Sequence, residues 1–154
     1  MVDPIPVGKI PSGLFVVTAV DTVNRMGFLA SWIQQASFKP LLISLAVEPE
    51  KPIWGLIQST GRFCVNIVGH QNNGLMKPFW GAKTEADPFI GLATEISAHG
   101  NLILTAAMAS LDCELRAFSQ PGDHCIVIGE VVETRLLQIA DKPMTHVRKS
   151  GAGY

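Results

Sequence analysis

Short apolar, β-branched segments separated by turns dominate the chain, and only one stretch places its apolar residues at helical spacing. That imbalance limits the fold more than any other feature. Gly13 to Ala19 reads GLFVVTA, Pro40 to Val47 reads PLLISLAV and Arg62 to Val68 reads RFCVNIV, all rich in residues that suit a pleated surface. Asp21 to Arg25 carries polar turn residues and Met26 begins another extended run, so a hairpin is expected there. Leu111 to Ala117 alternates: Leu111, Cys113, Leu115 and Ala117 point one way, and Asp112, Glu114 and Arg116 point toward solvent or a partner. After the Gln120-Pro121-Gly122-Asp123 turn, His124 to Val132 reads as a long strand, with Glu133 to Gln138 extending or pairing with it. A last strand is expected from Met144 to Arg148.

The helix set by periodicity is Lys51 to Gly61, where Ile53, Leu56, Ile57 and Thr60 share a face, Pro52 suits the first position and Gly61 the stop. Gly74 to Trp80 reads as a short helix, Gly81 to Pro88 as a loop, and Phe89 to Ile96 as a small helical or irregular lid. At least six strands without regular strand-helix alternation exclude a doubly wound nucleotide-binding sheet. The expected class is all-β with minor helices, in a closed or nearly closed barrel, because closure removes edges that such apolar strands would expose.

With 154 residues the chain fits one domain spanning 1–154, with 1–12 as an N-terminal arm and 148–154 as a C-terminal segment. Charged residues make up 16%, below the roughly 25% usual for soluble domains. The weakly polar surface this leaves points to a subunit interface. A net charge of −1 without a basic block argues against a nucleic-acid groove. No window approaches the ~20 apolar residues of a membrane span, and MVDPIPVGKIPSG lacks the continuous apolar core of a signal peptide, so a cytoplasmic protein is expected. Cys64, Cys113 and Cys125 match no metal-ligand spacing and lie in apolar runs, which makes buried hydrophobes of them rather than nucleophiles or disulfide partners. No HExxH, GxSxG or phosphate-loop motif occurs. No metal site is expected.

The polar group within MGFLASWIQQASFKP is the strongest chemical signal. Ser31, Gln34, Gln35 and Ser37 bring hydroxyls and amides beside Trp32, a set able to donate and accept along the edge of a heteroaromatic ring. Trp32 serves either as a stacking face or as core. Lys51, just before the helix, stands where an anion would be favoured, or is an exposed lysine beside Glu48 and Glu50. His124 starts a strand after a tight turn, where its near-neutral titration suits a proton role or a hydrogen bond within the turn. The tail RKSGAGY combines cations, glycines and the only tyrosine, and either folds over a site or frays.

Taken in order, FLASWIQQASFKP, SLAVEPEKPIWGLIQSTGRFCVNIV, LDCEL, GDHCIVIGEV and HVRKSGAGY resemble the flavin reductase-like family of FMN-binding split barrels. The likeness runs from Gly13 to Tyr154 and is nearest to the flavin reductase domain of cyanobacterial diflavin proteins. It implies a homodimer that binds FMN or, less tightly, FAD. It also implies an NAD(P)H:flavin oxidoreductase that passes electrons to free flavin, oxygen, a ferric complex or a protein partner; an FMN-binding electron carrier is the alternative. By the same resemblance Leu29, Ala30, Ser31, Trp32, Gln34, Gln35, Ala36 and Ser37 hold the ring and ribityl chain, and Lys51 faces the phosphate. His124 stands where nicotinamide or another acceptor approaches, as the candidate catalytic residue. Arg148, Lys149 and Tyr154 lie near the flavin or the neighbouring subunit. Glu48-Pro49-Glu50 replaces the Ser- and Lys-rich stretch common in relatives, a departure that bears on phosphate affinity.

Overall fold

The computed structural model describes residues 1–81 and 86–153. Along the chain run α1 (Ile5–Gly8), β1 (Ser12–Gly13), β2 (Phe15–Val20), β3 (Arg25–Ala30), β4 (Ile33–Ser37) and β5 (Leu42–Val47). Next come α2 (Pro52–Thr60), β6 (Arg62–Ile67) and a 3-10 helix (Asn73–Phe79). The chain ends with β7 (Thr94–Ile96), β8 (Leu102–Leu104), β9 (Ala109–Ser119), β10 (Cys125–Leu136) and β11 (Thr145–His146). Seven of these strands form one antiparallel sheet in the order β3-β2-β6-β9-β10-β5-β4. Among the described residues no helix is long and apolar enough to cross a membrane.

The sheet order explains the shape. β3 and β4 are the two outer strands, yet only Ser31 and Trp32 separate them in sequence. Two edges joined by so short a link must converge there, so the sheet curls into a barrel with a seam at that corner. Trp32 holds the far side of the seam, its carbonyl accepting a 3.0 Å hydrogen bond from the Ala46 amide.

Inside the barrel, Val17, Leu45, Val47, Phe63, Val65, Cys113 and Val127 pack with Ile53, Trp54, Leu56 and Ile57 of α2. The helix begins at Pro52 and stops at Gly61, which adopts a left-handed φ of 71°, a conformation that costs little only without a Cβ. The hairpin between β2 and β3 is closed by Asp21, whose carboxylate accepts from the amides of Val23 at 2.7 Å and Asn24 at 2.6 Å. Those two bonds hold the Asp21 carboxyl below its ordinary range.

The excursion between β6 and β9 covers part of the outer face, giving a second core of Val16, Val68, Leu75, Met76, Phe89, Leu102, Leu104 and Ala107. β2 is therefore buried on both faces, which accounts for its apolar run, interrupted only by Thr18. Beneath this cover Asn66 donates to the Val16 carbonyl at 3.0 Å and to the Thr18 hydroxyl at 3.2 Å, and accepts from the Leu104 amide at 2.8 Å.

Three expectations change. Asp112, assigned by alternation to a face toward solvent or a partner, is only 3% exposed, because the covering layer extends over its face of the sheet. Phe89 to Ile96 ends not as a lid but as β7, paired with β8 at Thr94↔Leu104; three-residue strands carry too little pattern to be read. The last strand shortens to Thr145–His146, paired with Ser12–Gly13. Part of the expected Gly81 to Pro88 loop, residues 82–85, lies outside the described residues.

The termini are tied to each other. Gly8 accepts a 3.0 Å bond from the Arg148 amide, and Pro4 accepts one of 2.7 Å from the Gly151 amide. A Cβ on Gly8 would lie 2.5 Å from the Ser150 carbonyl carbon, so this approach requires glycine.

Candidate functional site

Where the two sheet edges converge, a cleft of about 500 Å³ opens. Its floor and one wall come from Phe28, Leu29, Ala30, Ser31 and Trp32, and Ala46 to Glu48 and Lys51 continue from the β5 side. Met76 and Phe79 of the 3-10 helix packed on β3, Trp80 at its end, and Met144 to His146 complete the lining. The cleft exists because β3 has ended and β4 has not begun: at the crossing the backbone is released from the ladder.

Ser31 is the decisive residue of this wall. It is 6% exposed, and its hydroxyl oxygen is buried without a hydrogen-bond partner. A buried hydroxyl left unpaired costs about 1–3 kcal/mol, so a polar atom brought into the cleft by a ligand would relieve it. That unpaired hydroxyl beside the Phe28 and Trp32 rings fits a flat ligand with polar atoms on its rim, as a flavin has.

Trp32 is held by two further side chains. Its ring lies 4.9 Å from the His124 ring at an interplanar angle of 50°, and the Arg148 guanidinium carbon stands 4.8 Å from its centroid. The His124 side chain is only 13% exposed, and its Nδ1 lies 2.8 Å from Asp123 Oδ1. This hydrogen bond and the imidazole charge hold the Asp123 carboxyl below its ordinary range.

Lys51 lies immediately before α2 with an extended backbone. Its ammonium is 3.1 Å from Glu48 Oε2 and 5.8 Å from the Phe28 ring centroid. Glu48 thus points toward the lysine rather than away, so part of the positive charge offered to an anion is already compensated.

The cleft gathers Leu29, Ala30, Ser31, Trp32 and Lys51, and Trp32 links it to His124 and Arg148. Gln34 and Gln35 instead line a second hollow of about 260 Å³ with Phe15, Ile33, Leu41, Ile43, Leu111, Val131 and Thr134. Ala36 and Ser37 line neither hollow. Lys149 is exposed in the terminal clasp, its carbonyl accepting from Lys9 Nζ at 3.4 Å. Tyr154 lies outside the described residues.

Phe28, Phe79 and Trp80 line the cleft without having been singled out from sequence. The Phe79-Trp80 pair ending a short helical stretch was the available signal, but nothing local tells that the helix folds back over β3. Cys64, Cys113 and Cys125 are buried free thiols away from the cleft. Burial, with the Asp112 charge adding to it, pushes the Cys64 and Cys113 thiols up.

Comparison with known proteins places this geometry. A family profile described as "Flavin reductase like domain" matches residues 7–152. A flavin reductase of Pseudomonas putida is 34% identical over 148 residues, covering 96% of this chain and 85% of its own. Diflavin flavoprotein A 1 of Synechocystis is 36% identical over 150 residues, also covering 96% of this chain, which spans only 26% of that protein. Among solved structures, nitrilotriacetate monooxygenase component B from Mycobacterium thermoresistibile superposes with a TM-score of 0.86 at 26% identity, over 94% of this chain and 80% of its own. The NADH:FAD oxidoreductase of Streptomyces globisporus shares the fold with a TM-score of 0.84 at 22% identity, over 93% and 86% of the two chains.

Proposed function

Because the chain belongs to the flavin reductase like domain family, we propose that it binds FMN in the seam cleft and acts as an NAD(P)H:flavin oxidoreductase. The observation that carries this reading is the buried, unpartnered Ser31 hydroxyl in the cleft wall. When bound, the flavin would supply the redox chemistry, taking a hydride from a dihydronicotinamide and passing the electrons to free flavin, oxygen, a ferric complex or a protein acceptor. The protein's part is alignment and exclusion of water.

Ser31 orients the ring edge, Leu29 and Ala30 bound the ring along β3, and Lys51 attracts the phosphate. His124, tethered to Asp123, braces Trp32 from the side. FMN, the smaller of the two flavins, is the form we propose for this cleft of about 500 Å³. A homodimer is part of the proposal: Phe38 is 84% exposed, next to the exposed Gln34 and Gln35 face and its apolar hollow. The buried free thiols suit a reducing, cytoplasmic compartment.

A second reading, an FMN-binding electron carrier, is favoured by the relatives in which the matching unit is 26% of a larger flavoprotein. Stopped-flow mixing of the flavin-loaded protein with NADH or NADPH separates the two. Rapid bleaching supports the reductase; bleaching only by a reduced protein donor supports the carrier, and a chain that takes up no flavin overturns both.

A further inference from the structure

We infer that Trp80 is the stacking platform for the nicotinamide ring of the hydride donor, an assignment that rests on the flavin reductase reading above. Trp80 lines the cleft yet is 69% exposed, which places it at the mouth rather than in the enclosed part. Single exposed apolar residues are ordinary on protein surfaces, so exposure alone says little; the support beneath this one says more.

The 3-10 helix before Trp80 is anchored by buried Leu75 and Met76. Phe79 sits in a notch that only glycine leaves open, since a Cβ on Gly27 would come within 2.6 Å of Phe79 Cε1. The Phe79 ring also meets Phe89 edge-on, with centroids 5.3 Å apart and planes at 66°. Trp80 follows directly in an extended conformation, φ −91° and ψ 111°, so the chain leaves the helix there with the indole on the rim. A rigid arm therefore carries the most exposed aromatic group of the cleft.

The lining is chemically mixed: Ser31 and Lys51 offer polar groups, Phe79 and Trp80 aromatic ones. One tricyclic ring set against Ser31 would occupy much of the enclosed space, so a second planar ligand has to lie at the open side. An indole is the side chain best suited to stack on it. The oxidised nicotinamide ring is cationic and the reduced ring neutral, so the indole face attracts the oxidised product more strongly. A residue that merely braced the wall would not distinguish the two redox forms.

The test uses the flavin-loaded protein and its Trp80→Phe, Trp80→Leu and Trp80→Ala variants. FMN affinity is measured first, then KM for the reduced dinucleotide, kcat, and the product-inhibition constant for the oxidised one. The expected result for Trp80→Leu and Trp80→Ala is FMN affinity within about twofold of wild type and kcat nearly unchanged. KM should rise about threefold and the inhibition constant about tenfold, with most of both restored in Trp80→Phe. If Trp80→Leu behaves as Trp80→Phe does, or if FMN affinity falls as far as KM rises, the assignment to nicotinamide is overturned while the flavin reading stands. A wild-type chain that binds no FMN overturns the flavin reading and this inference with it.

Discussion

The segment from Leu29 to Ser37 is continuous in sequence but serves two different surfaces. Its first four residues, Leu29 to Trp32, line the seam cleft, whereas Gln34 and Gln35 line a separate hollow on β4. Ser31 is buried with an unpaired hydroxyl; Gln34 and Gln35 are exposed, and the Gln35 amide reaches the Ser37 carbonyl at 3.4 Å. The difference arises from topology. Residues 31 and 32 cross from one sheet edge to the other, and from Ile33 the chain rejoins a ladder, pairing Ile33 with Leu45 and Gln34 with Ser44. A polar cluster in sequence thus becomes a ligand wall only where the backbone leaves its strand.

That contrast can be broken or sharpened experimentally. The largest effect is expected at the phosphate end of the cleft: Lys51→Glu removes the cation and adds a charge beside Glu48. FMN affinity, read by fluorescence titration, should fall roughly ten- to a hundredfold, the range of a charge-assisted hydrogen bond of about 1.5–3 kcal/mol. Riboflavin, which has no phosphate, should bind both proteins alike, and unchanged FMN affinity would remove Lys51 from the site.

Ser31→Ala should weaken FMN and riboflavin equally, by about two- to tenfold, for a net hydrogen bond of about 0.5–1.5 kcal/mol. The melting temperature of the flavin-free protein should hold or rise, since the substitution deletes an unpaired buried hydroxyl. Gln34→Ala should change flavin affinity less than about twofold and shift self-association in sedimentation instead, consistent with interface residues acting where water is excluded. Equal losses at Gln34 and Ser31 would abolish the distinction between the two halves.

The smallest effect is expected at Asp123, which is fully exposed. Its carboxyl is lowered from 3.8 by the His124 hydrogen bond and charge, so its stabilising contact is complete above that value and fades as pH falls through the lowered one. Asp123→Asn should therefore lower the melting temperature slightly near neutral pH, with the difference from wild type disappearing in strong acid.

Sequence pattern revealed most of the barrel because β2, β5, β6, β9 and β10 each carry several apolar or β-branched residues, and Pro52 and Gly61 bracket α2. It did not reveal β7 and β8, which are too short to show a period, nor the burial of Asp112, which depends on a layer folded from distant residues. Within the site, Ser31 and Lys51 were legible as chemistry. The Glu48 ion pair and the Phe79-Trp80 wall were not, because both depend on how separate elements meet rather than on any local spacing.

The most direct test of the central claim is a crystal structure of the protein with FMN. The account predicts the isoalloxazine ring in the enclosed part of the seam cleft against Ser31, inward of Trp80 at the mouth, with a ring heteroatom in hydrogen-bonding distance of the Ser31 hydroxyl. A ring seated in the Gln34 and Gln35 hollow, or a seam cleft that stays closed to flavin, would contradict it.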